Sequence, residues 1–409
     1  MKTIFKFIAV IFFTIMIFSF GSCSGGAQKS EGGGIDVGDV DLGTYPPALM
    51  TKQPFNDTNA VEFVSGIKIG WNLGNTLDAI PWDGYYSYNP NPDVYSLETL
   101  WVKHETTPEN IAAIKKAGFN LIRIPVSWSK AVDNDFNIRK DWMERVTEIV
   151  NYAVAENMYI ILNTHHDESI FKFKNSDTPA SLRAFKKIWL QIASQFKNYN
   201  ERLIFEGLNE PRTKGSAGEW NGGSHEERLN INKHYEVFVD AVRSTGGNND
   251  KRFLMVNTYG ASTAQAAVSG LVLPQDKANK KLIVSVHAYS PYNFALNVNS
   301  PINTWNKNNA SNTSDVKNPI DSAYNKFVKN GIPVIIGEFG AINKDNEPAR
   351  AEWAEFFTGY AREKNIPCVW WDNGGFEGSG ELFGLLYREE DIIEFPILLE
   401  GLMRGAGVK

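Results

Sequence analysis

The sequence predicts an α/β fold, a closed (β/α)8 TIM barrel in which eight parallel strands alternate with helices. Short runs that are apolar nearly throughout recur along the chain, and longer segments with helical spacing lie between them. Strands that are apolar on both faces are typical of parallel sheets covered by helices. The eight runs begin at Gly66, Asn120, Tyr159, Leu203, Phe253, Lys281, Ile332 and Cys368.

The segments between the runs carry helix signals. In "TPENIAAIKKAG", Thr107 is placed to cap a helix, Pro108 to occupy its first position and Gly118 to end it. The segment "DWMERVTEIVNYAVAENM" has apolar residues at spacings of three and four. An open doubly wound sheet is the alternative fold. It would more often show a glycine-rich phosphate turn after the first strand, and "NLGNT" lacks that pattern.

The first 44 residues differ in composition from the rest. Two lysines precede an apolar run from Phe7 to Phe20 that is too short to span a bilayer, and small residues follow it. This pattern predicts a signal peptide over residues 1–22 whose lipoprotein cleavage box makes Cys23 the lipidated first residue, with ordinary secretion as the alternative. Residues 23–44 are predicted to be a flexible Gly/Ser-rich tether, and residues 45–409 a single domain. We expect an exported protein, lipid-anchored at the outer membrane or cell surface or facing the periplasm.

Composition narrows the class of partner. The formal net charge of the 409-residue chain is −6 and it contains no basic run with interleaved aromatics, so nucleic acid is not an expected partner. With Cys23 lipidated, Cys368 has no disulfide partner and is interpreted as a small buried apolar residue. The 11 Trp and 15 Tyr suggest a neutral, stackable ligand such as a sugar, although core packing explains most of them equally well. We expect a monomer that touches the membrane only through its lipid anchor.

Polar residues gather where the predicted strands end. The carboxyl ends of barrel strands converge on one face, and barrel active sites are built there. A lone histidine at a strand end is more often structural, but polar ends on eight otherwise apolar strands predict a site. The residues are Asn72, Asn75, Arg123, His165, His166, Asp167, Asn209, Glu210, Asn257, His287, Tyr289, Glu338, Trp371 and Asp372.

Two of these residues, Glu210 and Glu338, are candidates for paired-carboxylate chemistry. In glycosidic hydrolysis one carboxylic acid protonates the leaving oxygen, while a second, ionised carboxylate attacks the sugar or activates water. We expect the neighbours to drive the two pKa values apart. Asn209 and a nearby histidine would keep Glu210 protonated, whereas Arg123 and the Tyr289 hydroxyl would stabilise ionised Glu338.

A third glutamate, Glu206, precedes Glu210 by four residues in "LIFEGLNEPR". The period of two in a strand places both side chains on one face. At about 3.3 Å per residue, Glu206 would lie roughly 13 Å deeper in the barrel, too far to flank the same bond. We expect a structural residue that is protonated or held by buried donors.

Seven stretches in order, "GWNLGNTLDA", "RIPVSW", "NTHHD", "GLNEPR", "HAYSPY", "IIGEFG" and "WWDNG", resemble the glycoside hydrolase family 5 endoglucanases. The branch with cellulases, lichenases and xyloglucanases is the most similar, and the resemblance covers about Phe55 to Met403. It implies a polysaccharide substrate and a retaining, endo-acting double displacement on internal β-1,4-glucosidic bonds of β-glucans, without metal or other cofactor. By motif, Glu210 matches the acid/base and Glu338 the nucleophile.

The resemblance also implies which residues surround the sugar next to the scissile bond. They are Arg123, His165, Asn209, His287, Tyr289 and Trp371, with His166 adjoining them. Asn75 is a further candidate for substrate binding, from its position at the end of the first strand. Strand parity alone does not choose between Trp370 and Trp371; the family pattern does. Candidate platforms for more distant sugars are Trp82, Tyr85, Trp128, Trp220 and Trp305, each equally well explained by ordinary packing.

Other functions remain open at this point. An endo-β-1,4-mannanase or xylanase of the same fold would share the two glutamates, and cellulose, mixed-linkage β-glucan and xyloglucan share the same backbone chemistry. A non-catalytic glycan-binding lipoprotein would need the aromatics but neither Glu210 nor Glu338. A metal-dependent barrel hydrolase using "HHD" is disfavoured because adjacent histidines on a strand point to opposite faces.

Overall fold

The computed structural model describes residues 34–408 and contains a closed barrel of parallel strands that follow one another in chain order, with the first paired to the last. The predicted (β/α)8 fold is therefore confirmed, and the open doubly wound sheet is excluded. The strands are β1 Ile69–Leu73, β2 Leu121–Ile124, β3 Tyr159–Asn163, β4 Leu203–Glu206, β5 Leu254–Asn257, β6 Leu282–His287, β7 Val334–Phe339 and β8 Cys368–Asp372. An antiparallel pair, β9 Leu386–Tyr387 and β10 Ile392–Ile393, follows the barrel. Cys368 is buried, as expected.

Helices connect the strands, and one of them shows the predicted cap signals in full. Thr107 caps the helix that begins at Pro108, and Gly118 ends it with φ 114°. Between residues 34 and 408, none of the helices combines the length and the apolar composition that a transmembrane span requires. The helices are α1 Ala60–Ser65, α2 Tyr85–Tyr88, α3 Val94–Glu98, α4 Pro108–Ala117, α5 Lys140–Ala155, α6 Thr178–Phe196, α7 His225–Ser244, α8 Gln265–Gly270, α9 Tyr292–Ala295, α10 Ala310–Lys326, α11 Glu347–Glu363 and α12 Pro396–Ala406. Short 3-10 turns lie at Ser129–Ala131, Gly247–Asp250, Tyr259–Ala261 and Val328–Asn330.

The barrel interior changes from apolar to polar within two residues along the strands β2 to β5. The lower layer is one buried cluster of Leu121, Ile161, Ile204, Met255, Ile283, Ile335 and Val369, closed from below by Phe63 and Val64 of α1. Because side chains in a strand repeat every two residues, the next inward positions are two residues further on. Arg123, Asn163, Glu206 and Asn257 occupy such positions and form hydrogen bonds with one another. The barrel mouth therefore rests on a buried polar layer.

Part of the predicted tether is packed against the barrel. Lys186 Nζ donates to the Ile35 carbonyl at 2.8 Å, and Thr44 Oγ1 donates to the Ser194 carbonyl at 2.8 Å. Both partners belong to α6, so the prediction of a free tether as far as residue 44 is wrong for residues 35–44. The predicted signal peptide, the Cys23 anchor and the tether before residue 34 lie outside the described residues.

Candidate active site

Arg123, fully buried on β2, joins the polar layer to the barrel mouth. Its Nη1 donates to Glu338 Oε1 at 2.8 Å, and its Nη2 donates to Asn209 Oδ1 at 2.7 Å. Its Nε donates to Glu206 Oε2 at 2.7 Å. Charge-assisted hydrogen bonds of this kind are short and directional. One guanidinium therefore orients three side chains that come from β4, β7 and the segment after β4.

Glu338 is held on its other oxygen as well. Tyr289 donates its hydroxyl to Glu338 Oε2 at 2.9 Å. Burial and the Glu338 carboxylate both raise the pKa of Tyr289, so its hydroxyl keeps the proton that it donates. A Cβ at the preceding Gly337 would lie 2.7 Å from Ser285 Oγ, so glycine is needed where β6 and β7 approach closely. The Glu338 carboxylate is thus fixed from two sides.

Glu210 and Glu338 face each other across the mouth. One carboxylate oxygen of each and a ring nitrogen of His287 all lie within 4.8 Å of one another. His287 Nδ1 is 2.9 Å from Glu210 Oε1 and 3.5 Å from Glu338 Oε2. Retaining glycosidases hold their carboxyl groups about 5–5.5 Å apart, whereas inverting enzymes need about 6.5–9.5 Å to admit water. The close approach of the two carboxylates favours a retaining pair.

The surroundings of Glu210 differ from the expectation. Burial favours its protonated form, but the hydrogen bond from His287 and the charge of Arg212 outweigh burial and bring the pKa of Glu210 below its ordinary value. The expectation that a histidine keeps Glu210 protonated is therefore wrong for the unliganded site. Asn209 does not act on Glu210 as expected either, because its Oδ1 accepts from Arg123.

Glu206 is the last residue of β4 and is fully buried. Its carboxylate accepts hydrogen bonds from Arg123 Nε at 2.7 Å, from Asn163 Nδ2 at 3.0 Å and from Asn257 Nδ2 at 3.0 Å. The expected buried donors are present. The depth expected from strand geometry rested on a wrong premise, because β4 ends at Glu206 and does not continue to Glu210.

An open cleft of about 1430 Å³ crosses the carboxyl end of the barrel. It is lined by Glu210 and Glu338 together with Asn75, His165, His166, Asn209, His287, Tyr289 and Trp371. Trp371 is only 8% exposed and stacks parallel to the His165 ring, with the centroids 5.9 Å apart. The structure thus brings nine of the predicted strand-end residues into one cleft, with Arg123 buried beneath them.

His165 and His166 do not point to opposite faces. Their ring centroids are 4.5 Å apart, because β3 ends at Asn163 and strand alternation no longer applies. Asp78 and the two histidines have potential ligand atoms within 4.8 Å of one another, so the parity argument against an "HHD" metal site is wrong. The carboxylate of Asp78 already accepts the main-chain N–H groups of Asn75 and Thr76, at 3.1 and 2.8 Å.

The predicted aromatic platforms divide into two groups. Trp220 is 57% exposed in the cleft, and Trp82 is 60% exposed at a separate lateral pocket of about 720 Å³. Trp128 is fully buried, with its Nε1 donating to the Asn163 carbonyl at 2.9 Å. Tyr85 and Trp305 are buried as well. The platform prediction is therefore wrong for Trp128, Tyr85 and Trp305, whose rings a sugar cannot reach.

Two residues of the site were missed in the sequence. Trp101 lines the cleft, is 43% exposed and lies against the His166 ring at a centroid distance of 5.7 Å. It stands in an irregular segment without periodicity, so nothing distinguished it from the other tryptophans. Arg212 directly follows "NEP" and approaches Glu210 Oε2 at 3.3 Å. Its position beside the motif was the signal that could have identified it.

Comparison with known proteins agrees with this geometry. The family model "Cellulase (glycosyl hydrolase family 5)" matches residues 86–377. Endoglucanase A of Clostridium longisporum is 43% identical over 353 residues, which cover 85% of this chain and 66% of that protein. A solved broad specificity endoglucanase from Ruminococcus champanellensis with bound cellotriose is 44% identical with a TM-score of 0.82, covering 86% of this chain and all of that one (100%). A glycoside hydrolase 5 lichenase from Caldicellulosiruptor sp. F32, in complex with cellotetraose, is 40% identical with a TM-score of 0.80 and covers 90% and 100%.

The family match extends over most of the barrel and includes the segments that carry Glu210 and Glu338. The chain therefore belongs to the cellulase family, glycosyl hydrolase family 5, and is a glycoside hydrolase of the endoglucanase class.

Proposed function

We propose that this endoglucanase hydrolyses internal β-1,4-glucosidic bonds with Glu338 as nucleophile and Glu210 as acid/base. The observation that carries this assignment is the pair of carboxylates within 4.8 Å at the centre of an open cleft. Glu338 accepts one hydrogen bond on each oxygen, from Arg123 at 2.8 Å and from Tyr289 at 2.9 Å, and these fix the carboxylate for attack. Glu210 instead contacts His287, whose Nδ1 lies 2.9 Å from Glu210 Oε1. A titratable neighbour of this kind suits a carboxyl group that gains and loses a proton during the reaction.

The reaction proceeds in two balanced steps. A Glu338 oxygen attacks the anomeric carbon while Glu210 gives its proton to the departing glycosidic oxygen, so the C–O bond breaks and a glycosyl ester of Glu338 forms. The Glu210 carboxylate then removes a proton from water, whose oxygen attacks the anomeric carbon and releases Glu338. The lowered pKa of Glu210 in the unliganded site suits this second step. The first step needs protonated Glu210, and a bound sugar that excludes water raises the pKa of a carboxyl group.

The sugar next to the scissile bond has two evident partners. Asn209 gives its Oδ1 to Arg123, which leaves the Nδ2 donor for the sugar 2-hydroxyl, a contact that strengthens in the transition state. Trp371 presents an indole ring at the cleft surface, held from behind by Phe383 and Ile342. The apolar C–H face of a pyranose matches such a ring.

We propose β-glucans as the substrate class, including mixed-linkage β-glucan and xyloglucan besides cellulose-like chains. The relatives support this choice, since one binds cellotriose and another is a lichenase bound to cellotetraose. The cleft is open, and the lateral pocket adjoins it at His166, which lines both. An open cleft with a side pocket leaves room for a branched chain.

The tests address stereochemistry and substrate separately. Proton NMR of the first products is expected to show the retained β-anomer, and the α-anomer appearing first would refute the double displacement.

Initial rates on xyloglucan, barley β-glucan and carboxymethylcellulose are expected to be high. Rates on mannan and xylan are expected to be negligible. The same assay with a chelator is expected to be unchanged. Complete loss of activity would instead indicate a required cation, for which two groups offer ligand atoms within 4.8 Å of one another: Asp78, His165 and His166, and Glu210, His287 and Glu338.

We also propose that the enzyme is exported as a monomer anchored by lipid at Cys23, either at the outer membrane or cell surface or facing the periplasm. The apolar run from Phe7 to Phe20, followed by "GSC", supports this proposal. Cys23→Ala is expected to move the protein from the membrane fraction to the soluble fraction. A variant that stays with the membrane would contradict the anchor, and light scattering of the soluble form tests the monomer.

A further inference from the structure

Arg212 lies between the acid/base and an exposed aromatic ring. Its Nη1 donates to the main-chain carbonyl of Glu210 at 3.0 Å and lies 3.3 Å from Glu210 Oε2. Its Nε donates to Glu219 Oε1 at 3.2 Å. The guanidinium covers the ring of Trp220 at 4.4 Å from the centroid. Only 8% of the Arg212 side chain is exposed, so the guanidinium is enclosed by these contacts.

The two partners of Arg212 that line the cleft, Glu210 and Trp220, differ in their expected contact with substrate. Under the proposed function Glu210 acts at the scissile bond, and the exposed Trp220 ring is placed to stack on a more distant sugar. A guanidinium is planar and rigid, so its contact with the ring and its contact with the carboxylate cannot change independently. The Nη1–Oε2 separation of 3.3 Å is long for a charge-assisted bond, so this contact has room to shorten as the acid/base is positioned.

Other charged groups also face the acid/base Glu210 and contribute to its pKa. Arg212 Nη1 lies 3.5 Å from Glu168 Oε1, which in turn pairs with Lys214, so the guanidinium is shared among carboxylates. The titratable groups around the Glu210 carboxylate are His166, Arg212, His287, Tyr289, Glu338 and Glu381. Among them Arg212 is the permanent cation within 3.5 Å of the Glu210 side chain that also contacts an exposed ring.

We propose that Arg212 is a positioning residue that couples the acid/base Glu210 to the sugar platform Trp220. A sugar that stacks on Trp220 fixes the ring, the ring fixes the guanidinium, and the guanidinium fixes the carboxyl group that delivers the proton. Binding energy from a distant sugar is thereby used at the reacting bond. This inference rests on the proposed function of Glu210.

The pH profile of kcat/KM separates this role from a merely structural one. Removing the cation with Arg212→Met is expected to raise the pKa of Glu210 and to move the basic limb upward by about 0.5–1 pH unit, leaving the acidic limb in place. Arg212→Lys keeps a charge but loses the planar contact with Trp220. For this variant we expect the basic limb near that of the wild type and a higher KM for long cello-oligosaccharides.

Arg202→Met is the matched control. Arg202 immediately precedes β4, whereas Arg212 follows β4 at its carboxyl end. Like Arg212, Arg202 covers an aromatic ring, that of Tyr159, at 4.6 Å from the centroid. Neither limb is expected to move in this variant. A basic limb that stays in place in Arg212→Met, or moves equally in Arg202→Met, would overturn the proposal.

A double-mutant cycle tests the coupling itself. Arg212→Met and Trp220→Ala are each expected to lower kcat/KM on cellohexaose by about tenfold, and the double variant by much less than a hundredfold. Strictly additive losses would contradict the coupling.

Circular dichroism and thermal unfolding establish that each variant is folded. If Arg212→Met does not fold, Arg212→Lys replaces it in the cycle with Trp220→Ala. Wild-type enzyme without turnover on any β-glucan would contradict the proposed function, whereas wild-type turnover with additive losses would contradict this inference alone.

Discussion

The guanidinium of Arg123 and the carboxylate of Glu206 form a fully buried ion pair, with Nε 2.7 Å from Oε2. The same guanidinium pairs with Glu338 at 2.8 Å. Burial opposes the charge of Arg123, but the two glutamates outweigh it and raise the pKa of the guanidinium. The cation is therefore shared between a residue beneath the site and the nucleophile, so a change at Glu206 reaches the chemistry through Arg123.

Glu206→Gln is predicted to reduce stability more than catalysis. The substitution leaves the buried guanidinium with one carboxylate partner instead of two, and the expected loss is about 3 kcal/mol in the free energy of unfolding, the low end of the range for a broken buried pair. Arg123 keeps its bonds to Asn72, Asn209 and Glu338, so kcat in the folded fraction is expected to fall only by about tenfold. Urea unfolding and initial rates on barley β-glucan measure the two effects.

The exposed Glu62→Gln on α1 is the control, with an expected change within about 0.5 kcal/mol. A Glu206→Gln variant as stable as the wild type but inactive would assign Glu206 a direct part in the reaction.

The two catalytic glutamates are predicted to differ in their dependence on the leaving group. Glu338→Ala removes the nucleophile and is expected to abolish turnover on every substrate. Glu210→Ala removes the proton donor, so aryl cellobiosides with a good leaving group are expected to retain far more activity than β-glucan, because they need little acid help. If Glu210→Ala loses the same fraction of activity on substrates with good and with poor leaving groups, Glu210 is not the acid/base.

The sequence was sufficient for the barrel because its strands are short, apolar and regularly spaced. All eight strands lie within the eight predicted runs. Most of the strand-end residues also line the cleft as predicted, since the carboxyl ends of parallel strands must meet at one face. The exceptions are buried and do not line it: Asn72, Arg123, Asp167, Asn257 and Asp372. These features depend on local periodicity and on topology, both of which a single sequence contains.

The errors begin where the strands end. Period-two alternation was applied to Glu210 and to His165 and His166, although β4 stops at Glu206 and β3 at Asn163. Beyond those residues the backbone direction depends on packing between distant loops. Tryptophan exposure depends on the same packing, so the sequence did not separate buried Trp128 from exposed Trp101.

The contrast between Trp128 and Trp101 gives a prediction about platforms. Trp128→Ala is expected to lower the free energy of unfolding by about 3–5 kcal/mol, because it opens a cavity in the core. Trp101→Ala is expected to leave stability nearly unchanged and to raise KM for long cello-oligosaccharides several-fold, because its ring faces the cleft. Thermal unfolding and oligosaccharide kinetics distinguish the two. A large stability loss in Trp101→Ala with unchanged KM would show that this ring packs and does not bind.

Buried His234 on α7 predicts a loss of stability in acid. Its Nδ1 lies 2.8 Å from the Asn230 carbonyl and its Nε2 lies 2.8 Å from Ser181 Oγ, a pattern that suits the neutral ring. Burial lowers its pKa to about 4, below the ordinary 6.5 of an unfolded chain. Between these values the unfolded chain binds a proton that the folded protein does not, so stability falls as the pH falls from 6.5 towards 4 and is unaffected above 6.5. The full effect is roughly 3 kcal/mol.

His234→Gln is expected to be less stable at pH 7.5 but to lose less additional stability between pH 6.5 and 4.5 than the wild type. His225→Gln, at the exposed start of the same helix, is the control and is expected to keep the wild-type slope. Urea unfolding at a series of pH values measures the three slopes. Parallel curves for wild type and His234→Gln would mean that other groups cause the acid sensitivity.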